Sequence, residues 1–264
     1  MALQYRLGLF LAASLCLEAA QEGDICVERD RAMDQPGVLL TFDDTYVEAW
    51  VAALPLFAKY GAHATFFVTQ FDKLSDTQIH GLRALKRAGH AIGCHGLRHR
   101  KAAEYVREHG AAQYLADEIE SALALMTEAG LVPTCFAYPM SNRSDESDAA
   151  LLQHFRHLRG GAFATEGQRL VQLDALFTPL DEIAARGCLL GRSLDKAGEE
   201  GREHVIDEVK EALQRAKQSR ECVVFYSHCI GTEPRNHITP AALESILAYA
   251  HELGLQFYTY DDLP

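Results

Sequence analysis

Two short segments of this 264-residue chain hold side chains that could bind a divalent metal and use it. Thr41-Phe42-Asp43-Asp44 and His95-Gly96-Leu97-Arg98-His99 each follow an apolar run of strand character. Asp44, His95 and His99 form a two-histidine, one-carboxylate set, the donor combination that leaves a zinc ion with a position open to water. Asp43 is then a spare carboxylate beside the metal, free to act as a base. Neither segment suffices alone. With 12 His in the chain, chance supplies about half of one His pair four residues apart, and an Asp pair can equally cap a following helix. Position adds the weight, because both groups close a buried strand, where parallel α/β folds carry their chemistry.

The elements that must position these groups are legible from Gly37 onward, where short β-branched or aromatic runs alternate with longer amphipathic stretches. Strands are expected at 38–42, 64–69, 91–94, 135–138, 161–165, 188–190, 222–227 and 255–260. Helices are expected near 47–60, 76–88, 112–129, 146–158, 201–218 and 240–253. Ser75 or Asp76 is the expected N-cap of the second helix, and Gly61, Gly89, Gly130 and Gly254 are helix stops. The strand count gives an α/β fold, a distorted (β/α) barrel of seven to eight strands, TIM-barrel-like. A doubly wound open sheet competes, but the Gly-rich phosphate loop of such folds is missing from the sequence. Residues 166–186 fit neither helical nor strand periodicity, and Pro179 interrupts their one apolar cluster.

Residues 1–20 combine Arg6 with an uncharged run from Leu7 to Leu17 and resemble a secretory signal peptide, too short for a stable membrane span. Residues 21–36 then form an N-terminal extension and 37–264 one domain, and the chain is expected to be exported. A lipid anchor at Cys16 is disfavoured by the bulky Leu15 before it. Past the signal segment lie Cys26, Cys94, Cys135, Cys188, Cys222 and Cys229, an even set that permits disulfides in an exported protein. Cys188 and Cys222 each open an expected strand and are the candidates for a bridge, whereas Cys94 and Cys229 read as core thiols. A net charge of −12 argues against a nucleic-acid-binding surface.

In a barrel the residues closing each strand face one another across the C-terminal end. Here these are Asp43 and Asp44, then His95, then Tyr138-Pro139, then Ser227-His228, with His99 in the loop after the third strand. This order of TFDD, H-x-x-x-H about fifty residues later, F-A-Y-P and a late S-H resembles the polysaccharide deacetylases, carbohydrate esterase family 4. The resemblance spans Val38 to Leu263 and implies a metal-dependent hydrolase that removes acetyl groups from the sugars of a polysaccharide or oligosaccharide. It implies Asp43 as general base, with Asp44, His95 and His99 holding Zn2+ or another divalent ion such as Co2+ or Ni2+. It further implies the Met140 backbone N–H as an oxyanion donor after Tyr138-Pro139, and His228 as the acid that protonates the departing amine.

Three departures from the family pattern stand out. Gly96 occupies a position where many members carry Ser or Thr. Ala137 stands in place of the Arg that holds the catalytic aspartate, and Arg192, closing the sixth expected strand, is the first candidate to replace it, ahead of Arg143. The Asp and Trp motif supporting the late histidine is absent as such: the single Trp, Trp50, lies in the first helix, and Asp195 is the nearest substitute. De-N-acetylation is therefore the leading expectation. An O-acetyl esterase, a cyclic-amide hydrolase or a catalytically silent carbohydrate-binding barrel are the alternatives.

Overall fold

The structure is a computed structural model that describes residues 33–232 and 236–264. The expected signal segment, Cys16 and Cys26 lie outside the described residues. Eleven strands are described: β1 (Gly37–Asp44), β2 (Thr65–Val68), β3 (Ala91–Cys94), β4 (Cys135–Ala137), β5 (His157–Gly161), β6 (Phe177–Pro179), β7 (Cys188–Ser193), β8 (Glu221–Ser227), β9 (Cys229–Ile230), β10 (His237–Ile238) and β11 (Gln256–Tyr258). The α-helices are α1 (Val47–Ala52), α2 (Leu54–Lys59), α3 (Asp76–Arg87), α4 (Ala102–His109), α5 (Ala111–Tyr114), α6 (Ser121–Glu128), α7 (Asp145–Leu151), α8 (Glu203–Ser219) and α9 (Pro240–Glu252).

Seven parallel strands close the expected barrel in the order β1-β2-β3-β4-β5-β7-β8, with β8 returning to β1 along Gly37–Phe42. The seventh and eighth places need comment. β11, the last expected strand, is not a stave: it pairs with Gly37–Leu39 of β1, on the edge that β2 takes further up at Thr41–Asp44. β6 similarly runs antiparallel to β8 at Glu221–Val223, below the point where β7 joins at Val224. These short strands cover backbone edges that the splayed staves would otherwise leave bare.

Side chains alternate across the staves because successive Cβ atoms point to opposite faces. Leu39, Phe67, Cys135, Ala137, Leu189, Cys222 and Val224 pack with Tyr258, Tyr260 and Leu263 as the barrel's inner cluster. Val38, Leu40, Phe42, Phe66, Leu158 and Phe225 pack outward against α1, α3, α8 and α9. The C-terminal segment fills the end opposite the site: Tyr260 sits edge-on to Phe67 at 5.4 Å, and its backbone N–H donates to Thr65 Oγ1 at 2.9 Å.

Several expected boundaries move for identifiable reasons. The helix expected over 47–60 is two helices broken at Ala53, since Pro55 has no N–H to continue the ladder. Ser75 is the N-cap of α3, closing a capping box with Gln78. The helix expected over 112–129 contains a π-helical stretch, Leu115–Glu120, between α5 and α6. The helix expected to reach 158 stops at Leu151, and the strand expected at 161–165 is β5, His157–Gly161. Its inward positions carry His157 and Arg159, which hide the apolar signature of a buried strand. The expected Cys188–Cys222 bridge does not form. β7 meets β8 at Gly191–Ser193 while β6 lies against Glu221–Val223, so Cys188, packed on the outer cluster, does not pair with Cys222 on the inner face, and all five described cysteines are free.

Candidate active site

The strand ends bring the expected residues to one cavity of about 250 Å³, lined by Asp43, Asp44, His95, His99, Tyr138, Met140, Ser141, Arg159, Phe163, Asp195, Tyr226, His228 and Asn236. β1 presents the first two. Asp43 has the inward parity of Leu39 and is 2 % exposed, while Asp44 turns the chain out of the strand at φ 86°, a left-handed conformation that Asp tolerates better than most residues.

Asp44, His95 and His99 converge, with their potential ligand atoms all within 4.8 Å of one another. Asp44 Oδ1 lies 3.8 Å from His95 Nε2 and 3.4 Å from His99 Nε2. His95 Nδ1 lies 2.7 Å from the Ala137 carbonyl, which can only accept, so that nitrogen carries the proton and Nε2 keeps its lone pair for a metal. Burial, helped by the charges of His99 and Arg159 and opposed by that of Asp43, pushes the His95 pKa down to about 3, so the ring is neutral, as a ligand must be. Burial likewise raises the Asp44 carboxyl. The donor set and the tautomer thus fit a divalent cation.

Asp43 is held differently. Arg159 on β5, 1 % exposed, donates a close hydrogen bond to Asp43 Oδ2, while Asp43 Oδ1 is buried with no hydrogen-bond partner. Burial alone would raise the Asp43 pKa, but the charges of Arg159 and His228 and the Arg159 hydrogen bond outweigh it and the carboxyl ends below its ordinary value. The Arg159 guanidinium also lies 4.4 Å from the centre of the Tyr226 ring and 5.7 Å from that of Phe67.

Arg159, and not Arg192, is therefore the arginine on Asp43. Arg192 sits opposite the outward-facing Phe225 and shares the outward parity of Leu190, so closing a strand does not aim it at the site. Arg143 is engaged with Asp148. The sequence signal for Arg159 existed in the alternation of His157, Arg159 and Gly161, but His157 lay in the residues read as a helix end and Arg159 in the gap before the strand expected at 161–165.

Across the cavity, Asp195 accepts from His228 Nδ1 at 2.9 Å, and the Trp50 indole N–H donates to the His228 carbonyl at 2.8 Å. Asp195 is fixed in turn by the hydroxyls of Ser193 and Ser227, at 2.9 and 2.8 Å. Burial pulls the His228 pKa down, but the hydrogen bond to Asp195 and the carboxylates of Asp43, Asp195 and Asp44 outweigh it and raise it above the ordinary value. Trp50 and Asp195 thus support His228 from places where the motif pattern does not put them.

The turn after β4 carries Met140 at φ 53° and Ser141 at φ 51°. Ser141 and Asn142 spend their backbone N–H groups on the Tyr138 and Pro139 carbonyls, at 3.0 and 3.1 Å, whereas no described backbone acceptor takes the Met140 N–H. Tyr138 lines the cavity with its hydroxyl tied to Asp148 at 2.7 Å, and Pro139 is buried behind the wall. Tyr226 also lines the cavity, and so does Phe163 at 66 % exposure.

The polysaccharide deacetylase family profile matches residues 30–155, the segment holding Asp43, Asp44, His95, His99 and Met140. No protein of curated function matches the chain in sequence. Among solved structures, the Xyl-CE4 domain of a multidomain xylanase from the hindgut metagenome of Trinervitermes trinervoides superposes with a TM-score of 0.51 at 14 % identity, over 87 % of this chain and 89 % of that one. A deacetylase solved with substrate gives 0.50 at 18 % identity, over 88 % and 92 %. A mutant of a carbohydrate esterase family 4 pseudoenzyme with restored activity gives 0.51 at 15 %, over 87 % and 68 %. At such identities these structures share the fold, and the family profile agrees with it: residues 30–155 of the chain match the polysaccharide deacetylase family.

Proposed function

We propose that the chain is a metal-dependent hydrolase that removes acetyl groups from the N-acetylated sugars of a polysaccharide. The observation that carries this reading is Asp43, a residue with one unpaired carboxylate oxygen that lines the same cavity as the Asp44, His95 and His99 donors and the Asp195–His228 pair. A divalent cation held by Asp44, His95 and His99 would supply Lewis acidity, polarising a carbonyl and bringing the pKa of water to about 7. Asp43, kept ionised by Arg159, accepts a proton at Oδ1 as water attacks the acetyl carbon. The Met140 N–H donates to the acetyl oxygen as negative charge builds there. His228, protonated and held by Asp195, gives a proton to the sugar nitrogen as the C–N bond breaks, leaving acetate and a free amine.

The direct test is acetate release by the zinc-loaded chain from N-acetylglucosamine oligomers and from acetylated xylan, with and without chelator. Chelator-sensitive release from the glucosamine oligomers is expected. Release from xylan alone would move the substrate to O-acetyl sugars, and no release from either with metal bound would overturn the reading.

A second expectation follows from the His228 pair. Because Asp195 raises the His228 pKa, Asp195→Asn should lower it, so the acid form is lost at lower pH. The alkaline limb of kcat/KM should shift to lower pH while the acid limb stays in place. An unmoved alkaline limb in a pH–rate profile would separate His228 from the acid step.

A further inference from the structure

The turn between the two histidines cannot brace itself. Gly96 has no side chain, Leu97 is apolar, and Arg98 reaches outward to Asp72 at 2.6 Å. Its backbone is held from elsewhere in the fold. Thr69 Oγ1 donates to the Gly96 carbonyl at 2.8 Å, and the ties at Leu97, Arg98 and Arg100 lead to Glu118. Leu97 N–H donates to the Glu118 carbonyl at 2.9 Å, Arg98 N–H donates to Glu118 Oε2 at 2.9 Å, and Arg100 Nε faces Glu118 Oε1 at 3.3 Å.

Glu118 is fully buried, 0 % exposed. A carboxylate is seldom kept in such a place without hydrogen bonds and charge to hold it, and here those come from the loop that carries His99. It stands in the π-helical stretch Leu115–Glu120, a wide turn that recurs at functional positions because it re-aims one side chain. Gly96 completes the fit. It adopts φ 75°, and a Cβ there would lie 2.7 Å from Glu118 Oε2, so a side chain at 96 and the carboxylate of Glu118 exclude each other.

We propose that Glu118 is the positioning residue of the metal-binding loop, its carboxylate filling the space left open at Gly96 and holding the turn in which His99 reaches Asp44. The inference rests on the reading that Asp44, His95 and His99 bind a divalent cation. His99 itself sits at φ 59°, a left-handed conformation uncommon for a non-glycine residue that a loose loop would tend to abandon. A long-range carboxylate thus does the bracing that a local hydroxyl at position 96 would otherwise provide.

The experiment is Zn2+ and Co2+ binding to the metal-free full chain, measured by competition with a chromophoric chelator, alongside thermal melting without metal. The variants are Glu118→Ala, Glu118→Asp, Gly96→Ala, the Gly96→Ala/Glu118→Ala double and His99→Ala. Glu118→Asp keeps the charge and draws the carboxylate back, so it decides the matter if the alanine variant does not fold. Affinity should fall about 10- to 100-fold in each single Glu118 and Gly96 variant, the range typical of lost outer-shell support. The double variant should lose less than the product of the two singles, because the collision at position 96 disappears with the carboxylate. Wild-type affinity in folded Glu118→Asp, or a fall in melting temperature without a change in affinity, would overturn the proposal. A wild-type chain that binds no more tightly than His99→Ala would overturn the metal reading and this inference with it.

Discussion

Asp43→Asn should abolish turnover while leaving the divalent cation bound. Removing a general base typically costs 10²- to 10⁴-fold, so kcat should fall about 10³-fold, or roughly 4 kcal/mol of barrier. Asp43 stands outside the Asp44, His95 and His99 cluster, so cation affinity should change by no more than about threefold. The substitution has a second consequence. Arg159 is buried and its guanidinium faces the position that loses its charge, so the folded state loses about 3–5 kcal/mol, as when one partner of a buried pair is removed. Rates must therefore be measured well below the variant's melting temperature. Loss of cation rather than of rate would mean that the two aspartates have exchanged roles.

Arg159→Gln should be the most destabilising single change at the site, and its cost should depend on pH. In the native chain the Asp43 pKa lies below its unfolded value, so the pair's contribution is complete above about pH 4 and is lost as pH falls through the lower folded value. Without Arg159, burial becomes the dominant influence and the Asp43 pKa rises above its unfolded value. The folded state then holds a proton that the unfolded state has released, and stability falls as pH rises from about 4. The difference between the two proteins should thus be small near pH 4 and reach about 3–5 kcal/mol at pH 7. Urea unfolding midpoints between pH 4.5 and 8 read this directly. A cost independent of pH would assign Arg159 to packing between Tyr226 and Phe67 instead of to charge. The acid limb of activity should also move to higher pH in this variant, since the base then protonates more readily.

The candidate donor set Asp44, His95 and His99 and the Asp43 carboxylate proposed as base were legible because their information is local. An apolar strand followed by two aspartates, and two histidines four apart at another strand end, place their side chains with little help from the rest of the chain. Tyr138 and His228 were found by the same rule of strand ends and Met140 through the family resemblance, and all three line the cavity. Arg192 shows where that rule fails. Lying at a strand's end says which end of the barrel a residue occupies, whereas pointing inward depends on a two-residue parity that one position's error reverses. The reading of 146–158 as helix moved β5 by four residues and removed Arg159 from view, because a strand with His157 and Arg159 on its inner face does not look buried.

The sequence by itself determined the barrel class, the donors for a divalent cation, the spare carboxylate and the late histidine, all of them properties of short segments. Only the tertiary structure decided who supports them. Arg159 meets Asp43 across 116 residues, Asp195 meets His228 across 33, Trp50 reaches the His228 carbonyl across 178, and Glu118 ties the loop at Arg98 across 20. Each partner is a side chain whose own neighbourhood is unremarkable and whose role begins when two elements pack. The physical reason is that a donor set is written in spacing, but the charge and hydrogen bonds that tune it come from closure of the barrel.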